Sequence, residues 1–90
     1  MDLAITFGRV LRDLRKQAGL TQEQLGFEAE LERNYISMLE RGERQPTLTT
    51  LVKLARPLRS KASHMVALVE TAADATAKGD QSAVPPPPDA

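Results

Sequence analysis

Cysteine and tryptophan are absent from this chain, and among its 90 residues there are one tyrosine, two phenylalanines and a single histidine. Without cysteine there is no disulfide, no thiolate nucleophile and no cysteine-based metal site. With His64 as the only imidazole, a zinc site would need several carboxylates, and no acidic cluster is spaced to supply them; no metal and no cofactor is expected. No nucleophile–base pair stands out, and a chain this short offers little cleft from which to exclude water, so catalysis ranks far behind binding. No apolar run approaches the ~20 residues of a membrane span, and the opening MDLAITFGRV has no basic leader before an apolar stretch. The expectation is a cytoplasmic protein with no membrane partner and no small-molecule ligand. Because Phe7, Phe27 and Tyr35 are the only aromatics, the core has to be aliphatic.

What the chain does have is helical periodicity. Its length fits one small domain. Phe7, Val10, Leu11, Leu14 and Ala18 repeat at the spacing of an amphipathic helix over 3–18, closed by Gly19. Thr21 with Gln24 three residues on forms a capping box for a helix over 21–29, with Leu25 and Ala29 inward. A third helix over 32–41 turns Ile36 and Leu39 inward and ends at Gly42, which tolerates a left-handed terminus. Thr47 caps a fourth, over 47–57, with Leu48, Leu51, Leu54, Ala55 and Leu58 as its stripe, and Pro57 should end or kink it near Arg56. Ser60 or Ser63 caps a fifth, over 61–78, bearing Met65, Leu68, Val69, Ala72 and Ala75, with His64 at the surface and Gly79 as the stop. The predicted organisation is a helical domain over 1–78 and a Pro-rich tail over 79–90, including Pro85–Pro88, with nothing to pack against.

Two short helices joined by a tight turn, as in TQEQLGFEAELERNYISMLERG over 21–42, cannot bury enough surface alone and must dock on others. The second of them leaves Arg33, Asn34, Ser37 and Met38 outside. Arginine and asparagine can make paired hydrogen bonds to guanine and adenine edges, and a methionine can contact a thymine methyl. Net charge is zero, but residues 1–64 hold eleven Lys/Arg against eight Asp/Glu, and residues 65–90 hold one against four. Phosphate neutralisation is local, so a mildly basic domain can suffice. The plainer reading of the same residues is a solvated helix face.

The run GRVLRDLRKQAGLTQEQLGFEAELERNYISMLERGERQPTLTTLVKLARPL resembles the helix-turn-helix domain of phage repressor and Cro proteins, the Xre-type family. Within it, LERNYISMLERGERQPTL is most similar to small autoregulatory repressors and controller proteins. The resemblance covers roughly residues 5–66. It implies an all-α, five-helix, lambda-repressor-like fold with an extended C-terminal helix, binding double-stranded DNA as a transcriptional regulator. It places Arg33, Asn34 and Met38 where base contacts are usual, and Ser37 joins them as a candidate on the same helix. Phosphate contacts are expected from Gln22, whose side chain and amide lie at a helix N-terminus that favours anions, and from Arg41 and Arg44 after the third helix, a role Asn34 and Tyr35 can share. Similar domains pair an arginine at the position of Arg15 with a glutamate at that of Glu40, so a partly buried structural ion pair is expected there. Such modules usually act as two-fold homodimers, and the stripe Met65, Leu68, Val69 and Ala72 is the expected interface.

The turn departs from the family pattern. Glu30 stands where relatives carry glycine, so a left-handed turn residue there would be strained by about 1 kcal/mol. Glu32 replaces the better-capping Ser or Thr, although a glutamate still favours the helix dipole. With Glu28, these acids would repel phosphate. They favour a second reading, a protein-interaction module such as an antitoxin-like or adaptor subunit on the same fold. Salt-sensitive binding to random DNA separates the two.

Overall fold

Asp2 starts the first helix, its carboxylate accepting from the Ala4 amide at 2.9 Å. The computed structural model describes residues 2–80, which form α1 (Leu3–Gln17), α2 (Gln22–Ala29), α3 (Arg33–Glu40), α4 (Leu48–Ala55) and α5 (Ala62–Asp80), with no strand among them. Both halves of the Thr21–Gln24 capping box are made, at 3.0 Å and 2.9 Å. Thr47 likewise receives the Thr50 amide at 3.1 Å. Glu32 precedes α3 without any side-chain cap, as its longer side chain fits that bond poorly. Helix α4 ends at Ala55, two residues before Pro57.

The first three helices, and the turn that follows α4, end in the same way. Gly19, Glu30, Gly42 and Arg59 all have positive φ, at 74°, 59°, 77° and 55°. In each case the next amide reaches back five residues: Leu20 to Arg15, Leu31 to Gly26, Glu43 to Met38 and Ser60 to Ala55. This is the Schellman arrangement, which satisfies carbonyls the helix leaves open. Leu20 and Leu31 then fold back onto the core, as the motif's apolar residue commonly does. Glycine suits two of these positions, whereas Glu30 and Arg59 hold the left-handed conformation against a Cβ penalty.

The interior is aliphatic with one aromatic: Leu11, Leu25, Ile36, Leu39, Leu54 and Met65 are fully buried, and Phe7, Ala29, Ala55 and Leu58 join them. Helix α1 packs on α3 and α5, α2 packs on α3, and α4 lies on α5. At the α1–α3 crossing, a Cβ on Gly8 would sit 2.5 Å from the Glu40 carbonyl oxygen and 2.6 Å from that of Leu39. Only glycine lets the two backbones approach so closely.

Several expectations change. Met65 belongs to the chain's own core, with no exposed area, because it points between the other helices; it cannot supply a surface to a second copy. Leu48 is 76% exposed, since the first turn of α4 overhangs the core, and Ala18 is exposed at the end of α1. Neither serine caps α5: Ser60 closes the preceding turn, Ser63 is inside the helix, and the Lys61 carbonyl accepts the first α5 bond, from Met65, at 3.0 Å. Helix α5 runs through Gly79 to Asp80, within the roughly 1 kcal/mol that an interior glycine costs. The Pro-rich tail, residues 81–90, lies outside the described residues.

Glu30→Gly and Arg59→Gly should each stabilise the fold by about 1 kcal/mol, visible as a Tm rise of roughly 4–8 °C in thermal unfolding. Unchanged Tm in both would mean the left-handed turns carry no strain. Gly8→Ala should instead lower stability by about 1–3 kcal/mol, because both facing atoms are backbone and cannot move aside.

Candidate nucleic-acid interface

The outer face of α3 is set by what its inner face holds. Ile36 and Leu39 are buried, which turns Arg33, Ser37 and Arg41 outward as one row at four-residue spacing, with Asn34 and Met38 alongside. Arg33 and Asn34 are exposed, while Ser37 and Met38 are half-buried. Helix α2 runs up to α3 through a turn that demands Gly26, where a Cβ would lie 2.6 Å from the Leu31 carbonyl oxygen. The beginnings of the two helices consequently share a surface cleft lined by Arg15, Thr21, Gln22, Glu23 and Arg33. First-turn amides and the helix dipole make such an end favourable for an anion.

A buried polar network holds α3 in this position. Arg15 donates from Nε to Glu40 Oε2 at 2.6 Å and from Nη2 to Oε1 at 3.0 Å, and its Nη1 donates to the Leu20 carbonyl at 2.9 Å. The two side chains are only 11% and 4% exposed. Their hydrogen bonding pushes the Arg15 pKa above its already high ordinary value, against the opposing effect of burial. Gln22 joins through Nε2, which donates to Glu40 Oε1 at 3.0 Å. The side-chain amide of Gln22 is therefore engaged inside the protein.

The remaining expected phosphate residues differ among themselves. Tyr35 is half-buried against the core and its hydroxyl lies 3.4 Å from Thr50 Oγ1 on α4. Arg44 is exposed in the turn after α3. Arg41 is exposed but engaged: Nε donates to Glu43 Oε2 at 2.7 Å, Nη2 to Oε1 at 3.3 Å, and Nη1 to Ser37 Oγ at 2.5 Å. The hydrogen bonding holds Glu43 below the usual carboxylate range and lifts Arg41 above its own. Glu43 escaped the sequence reading; the signal available was an arginine and a glutamate flanking a glycine. Phe27 escaped it too. It is 85% exposed on α2, among Glu23, Glu28 and Glu30.

Helix order, the capped turn and the polar row on α3 define a helix-turn-helix protein, and comparison with known proteins agrees. The family model HTH_3, helix-turn-helix, matches residues 11–63; the chain belongs to this family and is a DNA-binding transcriptional regulator. It is 41% identical over 58 residues to the HTH-type transcriptional regulator y4dJ of Sinorhizobium fredii, spanning 64% of this chain and 75% of that one. To the control protein C.BamHI of Bacillus amyloliquefaciens it is 36% identical over 58 residues, 63% of this chain and 72% of the relative. Among solved structures, the restriction-modification controller protein C.AhdI of Aeromonas hydrophila is 39% identical with a TM-score of 0.67, covering 69% of this chain and 94% of that one. Among the described residues no helix is long and apolar enough to cross a membrane, and no acidic or histidine cluster is arranged to hold a metal ion.

Arg15→Ala should cost roughly 3–5 kcal/mol, because it leaves the Glu40 carboxylate buried and unpaired. Chemical denaturation measures this directly, and a loss below about 1 kcal/mol would show the pair to be solvated.

Proposed function

We propose that the chain binds a near-palindromic operator as a two-fold homodimer, in the cytoplasm, with one α3 helix in each of two successive major grooves. Arg33, Asn34, Ser37 and Met38 read base edges; Arg44 and the Gln22 backbone amide take phosphates. The observation that carries this reading is the outward row on α3, fixed in place by the Arg15–Glu40–Gln22 network beside the open first turn of α2. Half-site centres lie one helical turn apart, about 34 Å or roughly 10 base pairs. The similarity to controller proteins favours a small regulator acting without a ligand domain.

With Met65 inside the core, the dimer face falls to the flank of α5 that still shows apolar area. Val66 is 42% exposed there, Val52 of α4 is exposed as well, and Leu68, Val69 and Ala72 are half-buried. A second reading, a protein docked on α2, is favoured by the exposed Phe27 among three acids; on that reading Phe27→Ser abolishes partner binding and leaves DNA binding alone.

Selection from random DNA should return a palindrome, and Arg33→Ala should cost roughly 1–3 kcal/mol while relaxing the preference at one base pair per half-site. Unchanged affinity in that variant would put base reading elsewhere. Val66→Asp should sediment as a folded monomer that binds a half-site weakly; a dimer with normal operator binding would move the interface off α5.

A further inference from the structure

Two arginine–carboxylate forks occur among the described residues, and their surroundings differ. The Arg15 fork is enclosed, whereas Arg41 and Glu43 are 52% and 53% exposed on the side of α3 that carries the base-reading row. Side chains two apart do not meet on a helix. Here the left-handed Gly42, φ 77°, folds the chain after α3 so that Glu43 comes back beside Arg41. The carboxylate takes the Nε and Nη2 donors, and Ser37 takes one on Nη1. Of the five guanidinium N–H groups, those of the Nε–Nη2 edge, one of the two edges that can grip an oxyanion with paired bonds, are thus already occupied, and Ser37 holds a third on Nη1. Arg44, one residue further on, has no such partner among the described residues.

Building on the DNA reading above, we propose that Glu43 masks Arg41, so that this cation contributes nothing to phosphate binding and sequence-independent affinity is held down. The corner of the domain after α3 presents one working cation, Arg44, instead of two. An exposed pair of this kind is worth little in stability, so its consequence lies in binding. Each neutralised phosphate adds the same increment to every DNA sequence. Suppressing one such contact lowers the affinity for operator and random DNA alike, so their ratio is kept while base edges supply a larger share of the operator's binding energy. Glu43 is on this view an affinity-setting residue that never touches DNA.

The test measures affinity for random-sequence duplex as a function of salt in full-length variants. Glu43→Ala should tighten binding about fivefold to tenfold near 0.1 M salt and steepen the log–log salt slope by about 0.9, the increment of one phosphate contact. The decisive variant is Arg41→Ala with Glu43→Ala, which removes a cation and an anion together; it should keep the slope and random-DNA affinity of the unaltered protein. If Arg41 is instead a working contact, the double variant loses about 0.9 in slope, and the masking is overturned. Glu32→Ala, an unpaired acid before α3, controls for net charge: a gain equal to that of Glu43→Ala also overturns it. An NMR measurement without DNA reads the mask separately, as an Arg41 Nε proton whose exchange with water is slow and becomes fast in Glu43→Ala. Failure of the unaltered protein to show salt-dependent binding, with that proton protected, would sink the DNA reading and leave the Arg41–Glu43 fork standing.

Discussion

The fork between Arg15 and Glu40 decides where everything on the DNA side of this domain points. Arg15 sits in the last turn of α1 and Glu40 ends α3, so their two hydrogen bonds tie the long first helix to the end of α3. Paired charges removed from water gain little net stability and penalise every geometry that separates them. The remaining donors and acceptors extend the constraint. The Leu20 carbonyl ties in the loop after α1, and Gln22 ties in the first turn of α2. One carboxylate thereby sets the relation among three helices, and the apolar core only has to be filled beneath it.

Close backbone approach is the second constraint, and it works with the first. Gly8 lets α1 lie against the carbonyls of Leu39 and Glu40, and Gly26 lets α2 meet the turn into α3. The Schellman ends keep the connections short, with Leu20 and Leu31 closing over the core as each turn finishes. Two of those ends retain residues other than glycine. The fold accepts that strain because Leu31 and Leu58 are anchored on either side of the affected turns.

The polar residues outside the core divide by the same geometry. Gln22 and Tyr35 face inward with their functional groups, to Glu40 and Thr50, and work as supports for α3. Arg33 and Asn34 stand exposed at the start of α3. Ser37 and Arg41 share a hydrogen bond on the row between them. Charge alone would have ranked Arg41 and Arg44 as equals; the turn at Gly42 makes them different.

The sequence by itself determined the five helices, their caps at Thr21 and Thr47 and the inward stripes of α2, α3 and, short of Ala18, α1, because periodicity and capping are local properties. It also placed the outward row on α3, since burying Ile36 and Leu39 leaves that face no choice. The Arg15–Glu40 pairing was legible through resemblance alone, being 25 residues apart in the chain. Tertiary structure decided the rest. Met65, Leu68 and Val69 look alike on a helical wheel, and only packing against the other helices sends Met65 inside and leaves part of the others at the surface. Leu48 follows the stripe of α4 yet lies beyond the edge of the core. The engagement of Gln22 and Arg41 depends on where a carboxylate from another helix or turn arrives in space, and no period in the sequence encodes that position.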